Sequence, residues 1–140
     1  MSNKLRVVLD TNVLMVSILP KHKYYWIYES LIGGKYDLLL SNEMLTEYSE
    51  ILDRKYGIKQ ADITLDFLTW LPNVDFILPT INWNLIEDDP DDNKFVDCAI
   101  FGQADFIVTH DKHYNILKEI PFPSVRTIKI PEFEEILKNS

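Results

Sequence analysis

Short apolar runs alternate along the chain with longer segments of helical periodicity. Five runs are rich in leucine or β-branched residues and are predicted to be buried strands. They cover residues 5–9, 37–40, 74–78, 105–109 and 125–128. Capping residues, glycines and prolines predict helices between these runs. The predicted helices cover residues 24–32, 41 or 42 to 54, 60–70, 90–101, 114–117 and 131–137, whereas the segment 80–89 is too polar to assign.

Alternation of strands with helices is typical of an α/β protein. We therefore predict a three-layer α/β/α sandwich around a central, mostly parallel sheet of about five strands. The chain contains 140 residues, which fits one domain of ordinary size. Because the sequence shows no linker, internal repeat or low-complexity segment, we expect a single domain over residues 1–140.

Two acidic residues follow predicted strands directly. Asp10 ends the first strand, and Asp111 lies just beyond the fourth. In open parallel sheets, ligands bind outside the carboxyl ends of the strands, where the strand order reverses. The first and fourth strands are neighbours in the usual doubly wound order, so we expect both carboxylates to face one crevice.

Two more acidic residues lie on predicted helices. At about 100° per residue, Asp92 continues the apolar line of Phe95, Val96 and Ala99, so it extends a core-facing stripe. Glu47 falls roughly 40° outside its own stripe, at the border of the core. The same estimate turns Asp97 away from Asp92.

Each acid also has a structural interpretation. Asp10, Asp92 and Asp111 each suit the N-cap of a following helix, and Glu47 suits a half-exposed helix charge. Carboxylates crowded together repel, however, and a buried one costs several kcal/mol unless it is paired or bound to metal. Convergence of all four on one edge of the sheet would therefore indicate a divalent cation. Hard ions such as Mg²⁺ or Mn²⁺ prefer carboxylate oxygen, and the three histidines do not form a zinc spacing.

Composition limits the other classes of protein. A formal net charge of -8 argues against broad nonspecific affinity for nucleic acid, although carboxylates that hold a metal count in that total. With one cysteine, Cys98, no disulfide can form within the chain, which indicates a reducing compartment. Asp10 interrupts the first apolar run too early for a signal peptide, and no apolar run approaches the roughly 20 residues that span a bilayer. We expect a cytoplasmic protein with no membrane association.

Four segments together resemble the PIN-domain family. They are VLDTNVL at residues 8–14, LSNEMLTEY at 40–48, DPDDNKFVDCA at 89–99 and ADFIVTHD at 104–111. The resemblance follows the chain in order from about residue 7 to residue 117. It is closest to PIN proteins that are the toxin components of bacterial toxin–antitoxin pairs.

The resemblance implies a metal-dependent ribonuclease that uses Mg²⁺ or Mn²⁺, with RNA as substrate. Its acidic metal and catalytic site would fall on Asp10, Glu47, Asp92 and Asp111. Supporting positions would fall on Asn12, Ser41 and Thr109, and Asp97 occupies a place where close relatives often have an acid. The resemblance also implies a cognate antitoxin and a homodimer as partners.

Other readings fit less well. A haloacid-dehalogenase-type phosphotransferase needs a second Asp where this chain has Asn12, and a receiver domain needs an acceptor Asp beyond the third strand, whereas Asp75 lies inside it. The four glycines do not form a phosphate loop. The remaining rival is a catalytically weak PIN domain that acts as an RNA- or protein-binding regulatory module.

Overall fold

A computed structural model describes residues 4–140 of the chain, so Met1, Ser2 and Asn3 of the predicted domain lie outside the described residues. Five strands form one sheet, and all their pairings are parallel. The strands are β1 (Leu5–Leu9), β2 (Tyr36–Leu40), β3 (Val74–Phe76), β4 (Phe106–Val108) and β5 (Thr127–Ile128).

Six α-helices connect or follow the strands, as expected when every strand pair is parallel and needs a crossover. They are α1 (Thr11–Ser17), α2 (Tyr25–Ile32), α3 (Asn42–Tyr56), α4 (Ile58–Trp70), α5 (Asn93–Phe101) and α6 (Ile130–Lys138). Two 3-10 segments, Pro90–Asp92 and Lys112–Glu119, complete the regular structure. The first leads directly into α5, and the second follows β4.

The strand order is β3-β2-β1-β4-β5, so β1 lies between β2 and β4. The order reverses at β1 and β4, which is where the sequence predicts a crevice. Residue Asp10 follows β1, and its backbone N–H donates to the Val108 carbonyl of β4 at 3.2 Å. The predicted neighbourhood of the first and fourth strands is confirmed.

Aromatic side chains cover both faces of the sheet. On one face, Phe133 of α6 packs against Tyr36 and Phe106, and Trp26 of α2 packs against the same ring. On the other face, Tyr48 of α3 packs against Phe95 of α5. Helices therefore flank the sheet on both sides, and the predicted three-layer fold is confirmed.

Several predicted boundaries differ from the structure. The predicted strands at 74–78, 105–109 and 125–128 are shorter in the structure, where they cover 74–76, 106–108 and 127–128. The helix predicted from Pro90 starts three residues later, since residues 90–92 form the 3-10 segment instead. The helix predicted at 114–117 is also a 3-10 segment. Residues 77–89, which lie within the described chain, have no regular secondary structure.

Across residues 4–140, the helices are all too short or too polar to cross a bilayer.

Candidate metal centre

Asp10 is fixed between β1 and the first helix. Its Oδ1 atom accepts the Val13 N–H at 2.9 Å, so it is the N-cap of α1, and Oδ2 accepts a short hydrogen bond from the Thr109 hydroxyl. The residue is 7% exposed. Burial raises the pKa of the Asp10 carboxyl, the two hydrogen bonds oppose that shift, and the charge of Asp111 adds to it. The predicted capping role is therefore real, but the carboxylate remains buried beside another acid.

Asp111 lies opposite Asp10 across one hydroxyl group. The Thr109 hydroxyl that donates to Asp10 also accepts the Asp111 N–H at 3.0 Å. Asp111 Oδ1 accepts the His113 N–H at 2.9 Å and caps the second 3-10 segment. Partial burial works against its charged form, yet this bond and the hydrogen bond with Asp92 keep the pKa of Asp111 below its usual value. Thr109 thus aligns the two acids that the sequence placed at strand ends.

Among the predicted acids, Asp92 has the fewest hydrogen bonds to compensate for its burial. It precedes α5, yet within residues 4–140 its side chain makes no capping hydrogen bond, and its Oδ2 atom is buried without a partner. Burial, a hydrogen bond shared with Asp111 and repulsion from Asp111, Asp89 and Asp10 raise the pKa of Asp92 to about 8. Without a cation, this environment favours the protonated form of the carboxyl group more than water does.

Glu47 lies at the border of the core, as its helix angle predicts. One carboxylate oxygen accepts a short hydrogen bond from the Thr11 hydroxyl, and the other lies 2.6 Å from Lys94 Nζ. Its side chain is 24% exposed. Glu47 is connected to the other acids through Thr11, the residue next to Asp10. Its negative charge is balanced by Lys94.

The four supporting residues occupy two regions. Thr109 connects Asp10 and Asp111, and Asn12 lines the same cavity as these acids. Ser41 instead caps α3, where its hydroxyl accepts the Met44 N–H at 3.3 Å. Asp97 is buried, accepts the Trp83 N–H at 3.1 Å and lines a separate cavity with Ser41. Burial raises the pKa of Asp97, which the Trp83 N–H opposes.

Three residues near the acids were not predicted as site residues: Asp89, His113 and Tyr114. Asp89, Asp92, Asp111 and His113 each offer a ligand atom, and these atoms lie within 4.8 Å of one another. Tyr114 is 1% exposed, and the charges of Asp92, Asp10 and Asp111 add to the effect of burial in raising the pKa of its hydroxyl. The signal was present in the sequence for His113, which follows Asp111 by two positions. Asp89 ends the segment that was too polar to assign.

Two cavities meet at the acids. The first, of about 400 Å³, is lined by Asp10, Asn12, Tyr24, His110 and Asp111 together with apolar side chains. The second, of about 220 Å³, shares His110 and Asp111 with the first, and it also contains three lysines: Lys112, Lys118 and Lys129. In the described chain, these lysines form no ion pair with a carboxylate. The acidic crevice thus continues into a cavity in which three lysines outnumber two acids, Asp111 and Glu132.

The arrangement suits a hard divalent cation. The donors are mainly carboxylate oxygens, which Mg²⁺ and Mn²⁺ prefer. The unpartnered Asp92 Oδ2 atom and the raised pKa of Asp92 are the expected consequences of acids brought together without a positive charge between them. Of the four predicted acids, Asp92 and Asp111 belong to the group whose ligand atoms lie within 4.8 Å of one another, whereas Asp10 and Glu47 do not.

Comparison with known proteins gives a consistent result. A family model described as PIN domain matches residues 6–113. No curated protein matches the chain in sequence.

Three solved structures share the fold at 15 to 16% sequence identity. VapBC2 from Rickettsia felis, bound to a DNA fragment from its promoter, has a TM-score of 0.63 and is 16% identical, over 89% of this chain and 98% of that chain. VapC20 from Mycobacterium tuberculosis, a toxin that cleaves the sarcin–ricin loop, has a TM-score of 0.57 and is 15% identical, over 86% and 98%. FitAcB from Neisseria gonorrhoeae has a TM-score of 0.57 and is 15% identical, over 87% and 96%.

Proposed function

The chain belongs to the PIN domain family, and on this premise we propose that it is a metal-dependent endoribonuclease that hydrolyses phosphodiester bonds of RNA. The observation that carries the proposal is the meeting of Asp10, Asp92 and Asp111 outside β1 and β4. Asp10 and Asp111 also cap helical segments, but the repulsion among the three carboxylates destabilises the fold unless a proton or a cation offsets it. Binding of Mg²⁺ or Mn²⁺ relieves that repulsion.

Phosphodiester hydrolysis needs an activated water and relief of the charge that develops on the phosphate, and a bound divalent ion supplies both. Asp10, Asp92 and Asp111 hold this ion in the proposal, and Glu47 completes the acidic set from its border position. Thr109 orients Asp10 and Asp111 by hydrogen bonds at both ends of its hydroxyl. Asn12 lines the cavity beside them and contacts the substrate.

The basic cavity supplies a path for the RNA backbone. Lys112, Lys118 and Lys129 line a groove that shares Asp111 with the acidic cavity. Lysine neutralises backbone phosphates without reading sequence. We assign the phosphates next to the scissile bond to this groove, where local positive charge offsets the net charge of -8.

Toxin activity within a toxin–antitoxin pair is part of the proposal. Its support is the fold shared with VapBC2, VapC20 and FitAcB. A cognate antitoxin would then be the protein partner, and the cytoplasm the place where RNA is cut. Exposed apolar side chains on α4, Ile63, Phe67 and Trp70, offer a surface for a protein partner. The homodimer stays a prediction that sedimentation of the purified protein tests.

An RNA cleavage assay with Mn²⁺ tests the chemistry. Wild type is expected to cut, and Asp10→Asn is expected to be inactive while keeping its circular dichroism spectrum. Asp91→Asn, an exposed acid beside the centre, is the matched control and keeps full activity. Cleavage by purified Asp10→Asn at the wild-type rate refutes the proposal.

The alternative is a catalytically weak PIN domain that binds RNA or protein as a regulatory module. The pairing of Glu47 with Lys94 favours it, because one of the four acids is already neutralised by a protein cation. Metal-dependent thermal stabilisation separates the two functions, since an ion that binds the folded state raises the melting temperature with [metal]/Kd. A melting temperature unchanged by Mg²⁺ and Mn²⁺ supports the regulatory module.

A further inference from the structure

The metal-ligating atoms at the acidic centre extend beyond the four predicted acids. Asp89 and Asp92 come from the turn before α5, and Asp111 and His113 come from the segment after β4. His113 Nδ1 lies 2.9 Å from Asp111 Oδ1 and 3.7 Å from Asp89 Oδ2. The four ligand atoms lie within 4.8 Å of one another. Three carboxylate oxygens and one imidazole nitrogen are therefore close enough to one another to share one ion.

Unsatisfied polar atoms lie at the same place. Within residues 4–140, three buried side-chain atoms make no hydrogen bond of acceptable geometry: Asp92 Oδ2, the Tyr114 hydroxyl and His113 Nδ1, which lies beside the Asp111 and Asp89 carboxylates without forming one. Tyr114 is 1% exposed, and the charges of Asp92 and Asp111 act on its hydroxyl. Buried polar atoms are nearly always paired in folded proteins. The coincidence of all three with the ligand group indicates a bound species that pairs them.

The chemistry of the donors distinguishes between cations. Mg²⁺ demands oxygen ligands, whereas imidazole nitrogen suits first-row transition ions. We propose that Asp89 and His113 complete a cation position with Asp92 and Asp111, and that the imidazole gives this position a preference for Mn²⁺ over Mg²⁺. The inference rests on the proposed function, because Asp92 and Asp111 belong to both.

Calorimetric titration of the full chain with MnCl₂ and with MgCl₂ tests the preference. His113→Asn exchanges the ring nitrogen for an amide oxygen and keeps the backbone N–H that donates to Asp111 Oδ1. It is expected to weaken Mn²⁺ binding about tenfold and to leave Mg²⁺ binding nearly unchanged. Asp89→Asn is expected to weaken both ions, because it removes a charge.

Two variants serve as controls. Asp91→Asn removes an exposed acid from the same turn as Asp89. His22→Asn removes a ring whose Nδ1 atom accepts the Tyr24 N–H outside the cluster. Neither is expected to change the affinity for either ion. Melting temperatures in EDTA, equal to that of wild type, establish that each variant is folded.

Electron spin echo envelope modulation of the Mn²⁺-loaded protein reads the ligand directly. Wild type is expected to show nitrogen modulation from a coordinated imidazole, and His113→Asn is expected to lose it. Modulation that persists in His113→Asn, or an unchanged Mn²⁺ to Mg²⁺ affinity ratio, overturns the inference. Because these readouts need no RNA, they separate the two proposals. RNA cleavage with an unchanged ratio refutes this inference alone, and a shifted ratio without RNA cleavage refutes the nuclease alone.

Discussion

The charged residues at the two ends of the parallel sheet have different partners. At the amino end, Arg6 is fully engaged: its Nε and Nη2 atoms donate to the Gly102 carbonyl at 3.0 and 2.9 Å. Nη2 also pairs with Asp75 at 3.0 Å, and the Arg6 N–H donates to Asp105 at 2.7 Å. Asp75 and Asp105 each face a donor or an opposite charge. These contacts join β1, β3 and the residue before β4.

At the carboxyl end, acids face other acids. Asp92 lies among Asp10, Asp89 and Asp111, which all act against its ionisation. Its Oδ2 atom is buried without a partner among the described residues. The pairs around Arg6 join strands, and the acids around Asp92 weaken the fold in the absence of a cation. Asp75 and Asp105 thus contribute to the contacts that hold the sheet together, whereas Asp92 belongs to the candidate centre.

The largest expected effect is on catalysis. Asp92→Asn should reduce RNA cleavage by about 10³-fold or more, since a lost metal ligand removes several kcal/mol of transition-state stabilisation. Asp75→Asn, the counterpart at the amino end, should cut at the wild-type rate. Initial rates with a labelled RNA and Mn²⁺ measure both. Equal losses in the two variants would remove the distinction between the two ends.

The next effect concerns RNA binding. Changing Lys112, Lys118 and Lys129 together to Gln should weaken the binding of single-stranded RNA about tenfold. It should also flatten the slope of log affinity against log salt by about 2, which is three contacts at roughly 0.7 each. Fluorescence anisotropy in EDTA, where no cleavage occurs, gives both quantities.

The control for this experiment changes three exposed lysines elsewhere, Lys35, Lys59 and Lys138, to Gln. It removes the same net charge from the protein. If this control loses as much affinity as the first triple variant, the affinity for RNA depends on the total charge of the protein and not on the three lysines of the groove.

The third effect is a pH dependence of stability without metal. The folded-state pKa of Asp92, about 8, lies above its unfolded value, so the protonated group stabilises the fold fully below about pH 4 and this contribution is lost as pH rises towards 8. Asp92→Asn should therefore be more stable than wild type at pH 8 in EDTA. Solvent screening of this half-exposed group limits the gain to about 1 kcal/mol.

Urea unfolding of both proteins at pH 4 and pH 8 measures that gain, which should vanish at the lower pH. Saturating Mn²⁺ at pH 8 should reverse the order, because it stabilises wild type and not the variant. If the difference in the free energy of unfolding between the two proteins is the same at both pH values, the substitution acts through packing and not through the charge of Asp92.

The smallest effect is on the stability of the amino end. The Asp75 side chain is 49% exposed, so its ion pair with Arg6 contributes little. Asp75→Asn should lower the free energy of unfolding by at most about 1 kcal/mol, and Mn²⁺ should stabilise it as much as wild type. Urea unfolding with and without Mn²⁺ measures both. A loss of Mn²⁺ stabilisation would connect this pair to the metal centre.

Strand ends were the most predictable part of the centre. Asp10 and Asp111 directly follow short apolar runs, and the pairing of β1 with β4 brings them together. Asp92 was placed by helical spacing, although it belongs to a 3-10 turn in which residues advance by more than 100°. The angle estimated for Asp92 changes little, because Asp92 directly precedes α5.

Contacts made by turns could not be predicted. Asp89 ends a segment without hydrophobic periodicity, so its place depends on the fold of residues around it rather than on a pattern. The engagement of Glu47 by Thr11 and Lys94 is a long-range contact, 36 and 47 residues away, for which the sequence carries no local signal. The contacts made by turns and by residues far apart in sequence therefore could not be predicted from the sequence.

The strand order also dictates when the centre can exist during synthesis. Asp10 lies near the start of the chain, but Asp111 follows β4, which inserts beside β1 only after three earlier strands have been made. A nascent chain that ends just before residue 111 contains Asp10, Glu47 and Asp92 but lacks Asp111. The proposed centre can therefore form only after residue 111 has been synthesised and β4 has paired with β1.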